Sequence, residues 1–375
     1  MESTNLKTSL QTQAARQLSG HKRLLVQWAT GCGKSGVVLD FIKNNPGFST
    51  LIVVPETNNI QNWEQEFEKF GVDTFGVTII CYASLKNYVN TSWHLLVLDE
   101  TPHANTDLRV DFLSTISAEY VVALGAVISY EEKATLQSLY GKFFSNKITL
   151  DEAIEKKLLP SPDVRILHMT LDNTVKDHIY RGVKCSAKGK YDFLNAEVNR
   201  ARLQYDMRST QWNLNKMKQA GVARKRFLGE MQTEALKSIC AEIQKSKKRY
   251  LCFCASIAQA ELLGGKQAYT SKTSNQQMVL DKFNNHDINA LYVVGKLIEG
   301  QNLKDIDCGV IGNIGNTDRI TVQEMGRIMR SDNPIIYVPI FDDTKQEKFL
   351  ESLTNNVSSE YIKHFRLDNH MNVIS

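Results

Sequence analysis

The stretch WATGCGKS at residues 28–35 decides the fold, because it joins an apolar run to an amphipathic segment. Residues 24–26 (Leu-Leu-Val) predict a short buried strand, and residues 37–42 place four apolar side chains on one face of a predicted helix. A glycine-rich turn between a strand and a helix directs backbone N–H groups toward an anion. The stretch therefore predicts an α/β unit with a phosphate-binding loop.

The loop residues predict a site for a nucleoside triphosphate with Mg²⁺. Lys34 would place its charge on the phosphates, and the Ser35 hydroxyl would be a ligand of Mg²⁺. Trp28 stands where the usual pattern has its first glycine, at the strand end, so the cradle is preserved. Cys32 lies at a helix N-terminus, which predicts a reactive thiol. The cradle residues are Thr30, Gly31, Cys32 and Gly33.

Length and composition fit a globular protein with two domains. The chain has 375 residues, of which 42% are hydrophobic and 23% are charged. It shows neither a charged-then-apolar leader nor an apolar run near the roughly 20 residues of a membrane span, so we expect a cytoplasmic location and no membrane partner. Its seven cysteines are scattered, which predicts reduced core thiols rather than a zinc site.

Positive charge is concentrated between residues 176 and 230. This segment holds 13 Lys and Arg against five Asp and Glu, a net charge of +8 in a chain whose net charge is +4. Aromatic residues are interleaved with the cations, which is typical of a surface that follows a nucleic-acid backbone. A helical linker with a solvated charged face has the same pattern, so composition leaves both interpretations open. Candidate nucleic-acid contacts here are Arg224, Lys225 and Arg226.

Two carboxylates follow the apolar run at residues 95–98. Ligands bind at the carboxyl ends of strands in open α/β sheets, which is where Asp99 and Glu100 would lie. Asp99 would hold Mg²⁺, and Glu100 would orient or deprotonate the water that attacks the γ-phosphate. The pair lies 65 residues beyond Lys34 with strands predicted between, which makes it a specific signal.

A second series of predicted strands runs from residue 250 to residue 340 and encloses QEMGRIMR at residues 323–330. At helical spacing Arg327 and Arg330 share one face, and Gln323 lies one turn before Arg327. This half of the chain has no phosphate loop of its own. The two arginines are therefore predicted to stabilise charge on a phosphoryl group bound by the first half.

With these motifs in this order, nearly the whole chain resembles the superfamily 2 helicases and translocases, the DEAD/DEAH-like group. Residues 29–35 resemble motif I, residues 99–100 motif II and residues 323–330 motif VI. Residues 53–55 with NWEQEF at residues 62–67 resemble motif Ia of the Swi/Snf-like and type III restriction branch, which acts mainly on DNA. The compact plan is similar to that of small phage-encoded helicases.

This resemblance implies the fold and the remaining site residues. It implies an α/β protein with two tandem RecA-like (P-loop) domains, each with a parallel sheet, separated by a mostly helical basic insertion. Gln13 would contact adenine, and Glu299 and Gly300 of a segment similar to motif V would contact the nucleotide. The further nucleic-acid contacts that it implies are Pro55, Thr57, Tyr82, Ser84 and Lys296.

Two departures from the family pattern bear on the expectation of unwinding more than on that of ATP hydrolysis. Pro102 stands where motif II usually has Asp or His, and LGAV at residues 124–127 stands for motif III without its hydroxyls. The family uses those hydroxyls to link hydrolysis to strand separation. We therefore expect an ATP-hydrolysing DNA helicase, with a duplex translocase or annealing motor as the alternative and an ATP-gated nucleic-acid clamp as a second alternative.

The predicted domains are residues 1–165 for the first RecA-like domain, 166–240 for the insertion and 241–375 for the second RecA-like domain. ATP and Mg²⁺ would bind in the cleft between the two RecA-like domains. The expected partner is nucleic acid, with DNA favoured over RNA, together with proteins of replication, recombination or repair. No extra apolar helix or heptad run is present, so we expect a monomer.

Overall fold

The chain forms two compact units. The structure, a computed structural model, describes residues 2–294, 303–312 and 318–368. Unit 1 contains the described residues of Met1–Ser161, Glu299–Lys304 and Asp318–Asp332. Unit 2 contains those of Pro162–Ile298, Asp305–Thr317 and Asn333–Ser375.

Unit 1 is built on a six-stranded sheet in the order β3-β2-β4-β5-β1-β6, in which every paired strand is parallel. Its strands are β1 (Arg23–Trp28), β2 (Thr50–Val54), β3 (Val77–Cys81), β4 (Ser92–Leu98), β5 (Ser117–Gly125) and β6 (Phe144–Ile148). Its helices are α1 (Glu2–His21), α2 (Lys34–Asn44), α3 (Thr57–Phe70), α4 (Asp107–Ser114), α5 (Tyr130–Tyr140), α6 (Leu150–Glu155) and α12 (Asp318–Ile328).

The predicted phosphate loop and the predicted carboxylates meet at one edge of this sheet. The loop follows β1, the carboxylates follow β4, and β5 lies between these two strands. With strands about 4.8 Å apart, the ends of β1 and β4 are about 10 Å apart, which a triphosphate can span. Strand β2 is buried along its whole length, as its apolar composition predicts for a central parallel strand.

Unit 2 is built on a seven-stranded sheet in the order β11-β12-β10-β13-β14-β7-β15, again with parallel pairing throughout. Its strands are β7 (Asp163–Met169), β10 (Tyr250–Cys254), β11 (Ala268–Tyr269), β12 (Ala290–Val294), β13 (Cys308–Ile311), β14 (Ile335–Phe341) and β15 (Ile362–Arg366). Strands β8 (His178–Tyr180) and β9 (Val183–Cys185) form a separate antiparallel hairpin. Its helices are α7 (Ala187–Met207), α8 (Gln211–Met231), α9 (Thr233–Lys245), α10 (Ile257–Gly264), α11 (Gln276–Asn284) and α13 (Glu347–Thr354).

The basic segment is helical and belongs to unit 2. Helices α7 and α8 form a long antiparallel hairpin, whereas α9 buries five side chains in the unit 2 core. The predicted boundary at residues 165 and 166 falls inside β7, which pairs with β14 and β15. The second sheet therefore begins before the basic segment, because strand pairing joins residues that are distant in sequence.

The α/β class with two parallel sheets is confirmed, and it is consistent with tandem RecA-like domains. Among the described residues no helix combines the length and the apolar character that a membrane crossing requires.

Candidate nucleotide site

The loop between β1 and α2 has the backbone of a phosphate cradle. Gly31 and Gly33 adopt positive φ angles of 93° and 82°, which glycine tolerates without strain. A Cβ at Gly33 would also collide with the side chains of Lys7 and Gln11. Trp28 is buried at the strand end, where its indole donates to Asn146 Oδ1 at 2.8 Å. The tryptophan therefore anchors the loop to β6.

Two side chains of α1 hold the loop from the other side. Lys7 Nζ donates to the Gly31 carbonyl at 2.8 Å, and Gln11 Nε2 donates to the Gly33 carbonyl at 2.8 Å. The two residues are one helical turn apart, so both face the loop. Gln13, the expected adenine contact, is exposed, whereas Gln11 is buried. Burial lowers the pKa of Lys7. The sequence analysis did not predict the contacts of Lys7 and Gln11 with the loop.

Lys34 begins α2 and lies at the centre of the cradle. Its Nζ donates to the Trp28 carbonyl at 3.2 Å, a neutral partner that an anionic phosphate would readily replace. Cys32 beside it is buried, and that burial raises the pKa of its thiol despite the two nearby lysines. The expected reactive thiolate is therefore disfavoured, because desolvation outweighs the lysine charges.

Helix α3 contacts both expected metal ligands. Ser35 donates its hydroxyl to Glu66 Oε2 at 3.3 Å, and the indole of Trp63 donates to Asp99 Oδ2 at 2.9 Å. Burial and the neighbouring Glu100 raise the pKa of Asp99 to about 6, while the Trp63 hydrogen bond and the Lys34 charge act against that rise. A cation beside Asp99 would relieve this cost, because it favours the ionised form.

Glu100 follows Asp99 in a left-handed backbone conformation with φ 44°, and its N–H donates to Asp99 Oδ1 at 3.0 Å. The next residue, Thr101, is buried and donates its hydroxyl to the Leu124 carbonyl at 2.8 Å. Thr101 therefore links the ends of β4 and β5, in the region where motif III lacks hydroxyls. Pro102 lies close to Gly125 in the same corner.

The arginine-bearing segment packs onto the phosphate loop within unit 1. A Cβ at Gly326 would lie 2.6 Å from Thr30 Cβ, so only glycine allows α12 to approach this closely. Arg330 Nη1 donates to the Leu303 carbonyl at 2.7 Å. Surrounding protein and the charge of Arg327 lower the pKa of Arg330 to about 10, so it stays positive at neutral pH. Arg327 itself is buried.

These residues enclose a cavity of about 920 Å³ in unit 1. Its lining brings together Gly31, Gly33, Lys34, Ser35, Asp99 and Arg330 from the predicted set. It adds Lys7, Gln11, Asn59, Trp63, Glu66 and Lys69, which sequence reasoning did not assign to the site. Five Lys and Arg side chains line the cavity against three Asp and Glu, so the cavity favours a polyanion. Thr30, Cys32, Glu100, Gln323 and Arg327 lie outside this lining.

The predicted nucleic-acid contacts are dispersed. Thr57 is exposed at the start of α3, and Ser84 is half-buried after β3. Pro55 is buried. Tyr82 is buried too, and its hydroxyl donates to the Asp99 carbonyl at 3.0 Å, so it supports the β4 end instead of offering the expected surface.

Within the basic hairpin, Arg224 is half-buried and donates to Asn195 Oδ1 at 2.5 Å. Lys225 and Arg226 are exposed, and Arg226 pairs with Glu230 at 3.0 Å. Lys296, Glu299 and Gly300 lie outside the described residues.

One family model matches part of the chain. Residues 4–98 match the model described as type III restriction enzyme, res subunit. The match begins in α1, includes the phosphate loop and α3, and ends one residue before Asp99. It supports a superfamily 2 helicase-like family and, at that level, an ATP-dependent helicase-like enzyme of nucleic acid. No curated protein matches the chain.

Proposed function

We propose that this chain is a DNA helicase that hydrolyses ATP with Mg²⁺ and acts on duplexes with low sequence specificity. The observation that carries the proposal is the cavity that Lys34, Ser35, Asp99 and Arg330 line together. Each of these residue types has a distinct use in the transfer of a phosphoryl group from a nucleoside triphosphate. The match to the type III restriction res subunit supports DNA as the nucleic acid on which the enzyme acts.

The residues fit ATP and Mg²⁺ on structural grounds. Asn59 lines the cavity, and its Oδ1 atom is buried without a hydrogen-bond partner among the described residues, which suits a site that gains polar contacts when occupied. Ser35 and Asp99 offer the hydroxyl and carboxylate oxygens that Mg²⁺ takes together with phosphates and water. Mg²⁺ would neutralise charge on the phosphates.

The proposed mechanism assigns one role to each side chain. Lys34 exchanges the Trp28 carbonyl for a phosphate oxygen, and the N–H groups of the loop bind the phosphates at the N-terminus of α2. Glu100 orients the attacking water and accepts its proton. Arg330 stabilises the charge that develops on the transferred phosphoryl group, with Arg327 holding the segment.

Nucleic acid would bind mainly through its phosphates. Among the predicted contacts that the structure describes, Thr57, Lys225 and Arg226 have exposed side chains. Phosphate contacts carry no sequence information, so we expect low specificity and affinity that falls steeply with salt. We further propose a phage-encoded monomer that acts in the cytoplasm of a bacterial host.

A duplex translocase that does not separate strands is the second candidate. The buried Thr101 hydroxyl ties β4 to β5 where family members use motif III, so the link to strand separation differs here. A strand-displacement assay on forked and blunt substrates distinguishes the two functions. Hydrolysis without displacement on either substrate would favour the translocase.

The decisive test is steady-state ATP hydrolysis with single-stranded, double-stranded and forked DNA and with RNA. Lys34→Ala should fall below roughly one hundredth of the parental rate, because the loop lysine contacts the transferred phosphate. Lys43→Ala, an exposed lysine at the other end of the same helix, is the matched control. Parental turnover in Lys34→Ala would refute the site. Tight ATP-dependent binding without turnover in the parent would indicate a clamp.

A further inference from the structure

The far end of the α7–α8 hairpin projects from unit 2. Tyr191 and Leu194 of α7 and Phe227 and Leu228 of α8 are buried in the unit 2 core and anchor the base of the hairpin. From residue 202 to residue 226, by contrast, Asn213 is the single buried side chain. Each helix has 21 residues and is therefore about 30 Å long. The distal half is thus supported by its partner helix and not by the core.

The end of this hairpin is locked by hydrogen bonds. The Thr210 hydroxyl accepts from the Asn213 N–H at 3.2 Å and caps α8. The Asn213 amide donates to the carbonyls of Arg208 at 2.8 Å and Gln204 at 3.2 Å. Lys216 Nζ donates to Gln204 Oε1 at 3.0 Å and joins the two helices once more. The tip therefore presents its outer side chains from a fixed backbone.

Three of those outer side chains are large and apolar, and the sequence around them is rich in cations. Leu203, Met207 and Trp212 are 63%, 83% and 68% exposed, although burial would be the norm for such residues. Lys216 Nζ lies 5.2 Å from the centre of the Trp212 ring. Between residues 200 and 218 the chain has five Lys and Arg and one Asp. Exposed apolar clusters mark interaction sites, and these charges select an anionic partner.

The convex shape of the tip decides what kind of anion fits. A protein that follows single strands does so through a charged groove, whereas a convex apolar tip suits insertion between or against stacked bases. Trp has the largest ring face for stacking, and Met and Leu are among the apolar wedge residues of such proteins. Cations beside the wedge neutralise the adjacent phosphates.

We propose that this tip, defined by Leu203, Met207, Arg208, Trp212 and Lys216, is a wedge that binds the terminal base pair of a DNA duplex. Trp212 stacks on the exposed base pair, and Arg208 and Lys216 bind the phosphates beside it. The inference rests on the proposed function for its choice of nucleic acid as partner. Under this proposal the basic segment prefers the ends of a duplex and does not simply bind phosphates along its whole length.

The test uses the full chain without ATP and a blunt duplex that carries 2-aminopurine in its terminal base pair. A second duplex carries 2-aminopurine at its centre. The parent should change the fluorescence of the terminal probe and leave the central probe unchanged. Trp212→Ala should abolish that change and weaken binding to the blunt duplex about tenfold, the loss typical of one stacked base. Trp212→Phe should keep most of both signals.

Phe75→Ala is the matched control, because Phe75 is an 80% exposed aromatic in unit 1. An unchanged terminal signal in Trp212→Ala, or equal signals from both probes in the parent, would overturn the wedge. A shift of Trp212 fluorescence with phosphatidylserine vesicles but not with duplex would do so too. ATP hydrolysis by the same proteins is measured separately. A parent that fails to hydrolyse ATP yet shows the terminal signal would refute the proposed enzyme and keep the wedge.

Discussion

The turn after β1 and the turn after β10 both lead from a buried parallel strand into a helix, yet they differ in chemistry. After β1, five loop residues separate strand from helix, and the buried Thr30 hydroxyl has no hydrogen-bond partner among the described residues. After β10, Ser256 caps α10 by accepting from the Gln259 N–H at 3.2 Å. Gln259 also accepts from the Ala255 N–H at 2.8 Å.

Close packing completes the second turn. Gln259 Nε2 donates to the Gly229 carbonyl at 2.6 Å, and Gly229 lies against Ala255 with no room for a Cβ. Two backbone N–H groups of this turn, those of Ala255 and Gln259, therefore already have protein partners. The two turns share their strand and helix context but differ in loop length and in loop residues. The nucleotide binding that we propose therefore rests on the β1 loop and its neighbours and not on the parallel sheet.

Among the substitutions that test this comparison, Asp99→Asn is expected to have the largest effect on ATP hydrolysis. Loss of the carboxylate should reduce ATP hydrolysis about 10²–10³-fold, the usual loss for one preorganised electrostatic contact. The pH-dependent cost of a buried charge should disappear, because Asn keeps an acceptor for Trp63 without a charge, although its NH2 group cannot accept from the Glu100 N–H. At the β10 turn we expect no substitution that lowers ATP hydrolysis and removes a pH-dependent cost in this way.

The sign of the stability effect follows from the raised pKa of Asp99, about 6 in the fold. The folded state binds this proton more tightly than the unfolded state, whose Asp pKa is about 3.9. The stability that protonation contributes is complete below pH about 4 and is lost as pH rises through about 6. The stability of Asp99→Asn relative to the parent should therefore be higher at neutral pH than at pH about 4, by on the order of 2 kcal/mol. Thermal unfolding at the two pH values tests this, and an equal difference from the parent at both would contradict the raised pKa.

Replacing one serine at each turn should separate activity from stability. Ser35→Ala should lower ATP hydrolysis at least about tenfold with little change in thermal stability, since its bond to Glu66 is long at 3.3 Å. Ser256→Ala should leave hydrolysis unchanged and cost about 1 kcal/mol, because a helix cap is lost. Each variant serves as the control for the other. Equal losses of activity in both would show that the β10 turn also contributes to catalysis.

Local pattern predicted the strand, loop and helix around Lys34 and the carboxylates after β4, because these signals lie within about ten residues. It did not predict Lys7 and Gln11, since no pattern in α1 specifies which polar face meets a loop more than 20 residues away. The domain boundary inside β7 has a similar origin, because its partner strand β14 is far along the chain.

Trp63 belongs to NWEQEF at residues 62–67, the stretch that resembles motif Ia, and its side chain is buried. Its indole N–H was not assigned, because the partner, Asp99, lies 36 residues away. Tyr82 shows the same limit, since its hydroxyl meets the Asp99 carbonyl from inside the core. The sequence therefore did not indicate which polar atoms the buried side chains of Trp63 and Tyr82 present to Asp99.

The smallest effect, and the one most specific to this chain, is expected from Trp63→Phe. Phe keeps an aromatic ring in the core but cannot donate the hydrogen bond to Asp99. In the parent this hydrogen bond lowers the pKa of the Asp99 carboxyl. The pKa of Asp99 should therefore rise, and fewer molecules should carry the carboxylate at neutral pH. ATP hydrolysis at pH 7 should fall about threefold to tenfold, at or below the low end of the roughly 10- to 100-fold loss typical of groups that orient a metal ligand, because the Lys34 charge still favours the carboxylate.

The pH profile of kcat/KM distinguishes this positioning role from lost packing. In the parent the rate should fall as pH drops through about 6, because Asp99 becomes protonated in the free enzyme. In Trp63→Phe the same fall should begin at higher pH, and the rate should approach the parental value under alkaline conditions. Trp93→Phe is the control, because its indole donates to Thr91 Oγ1 at 2.9 Å. A uniform loss at every pH in Trp63→Phe would mean that the indole matters for packing alone.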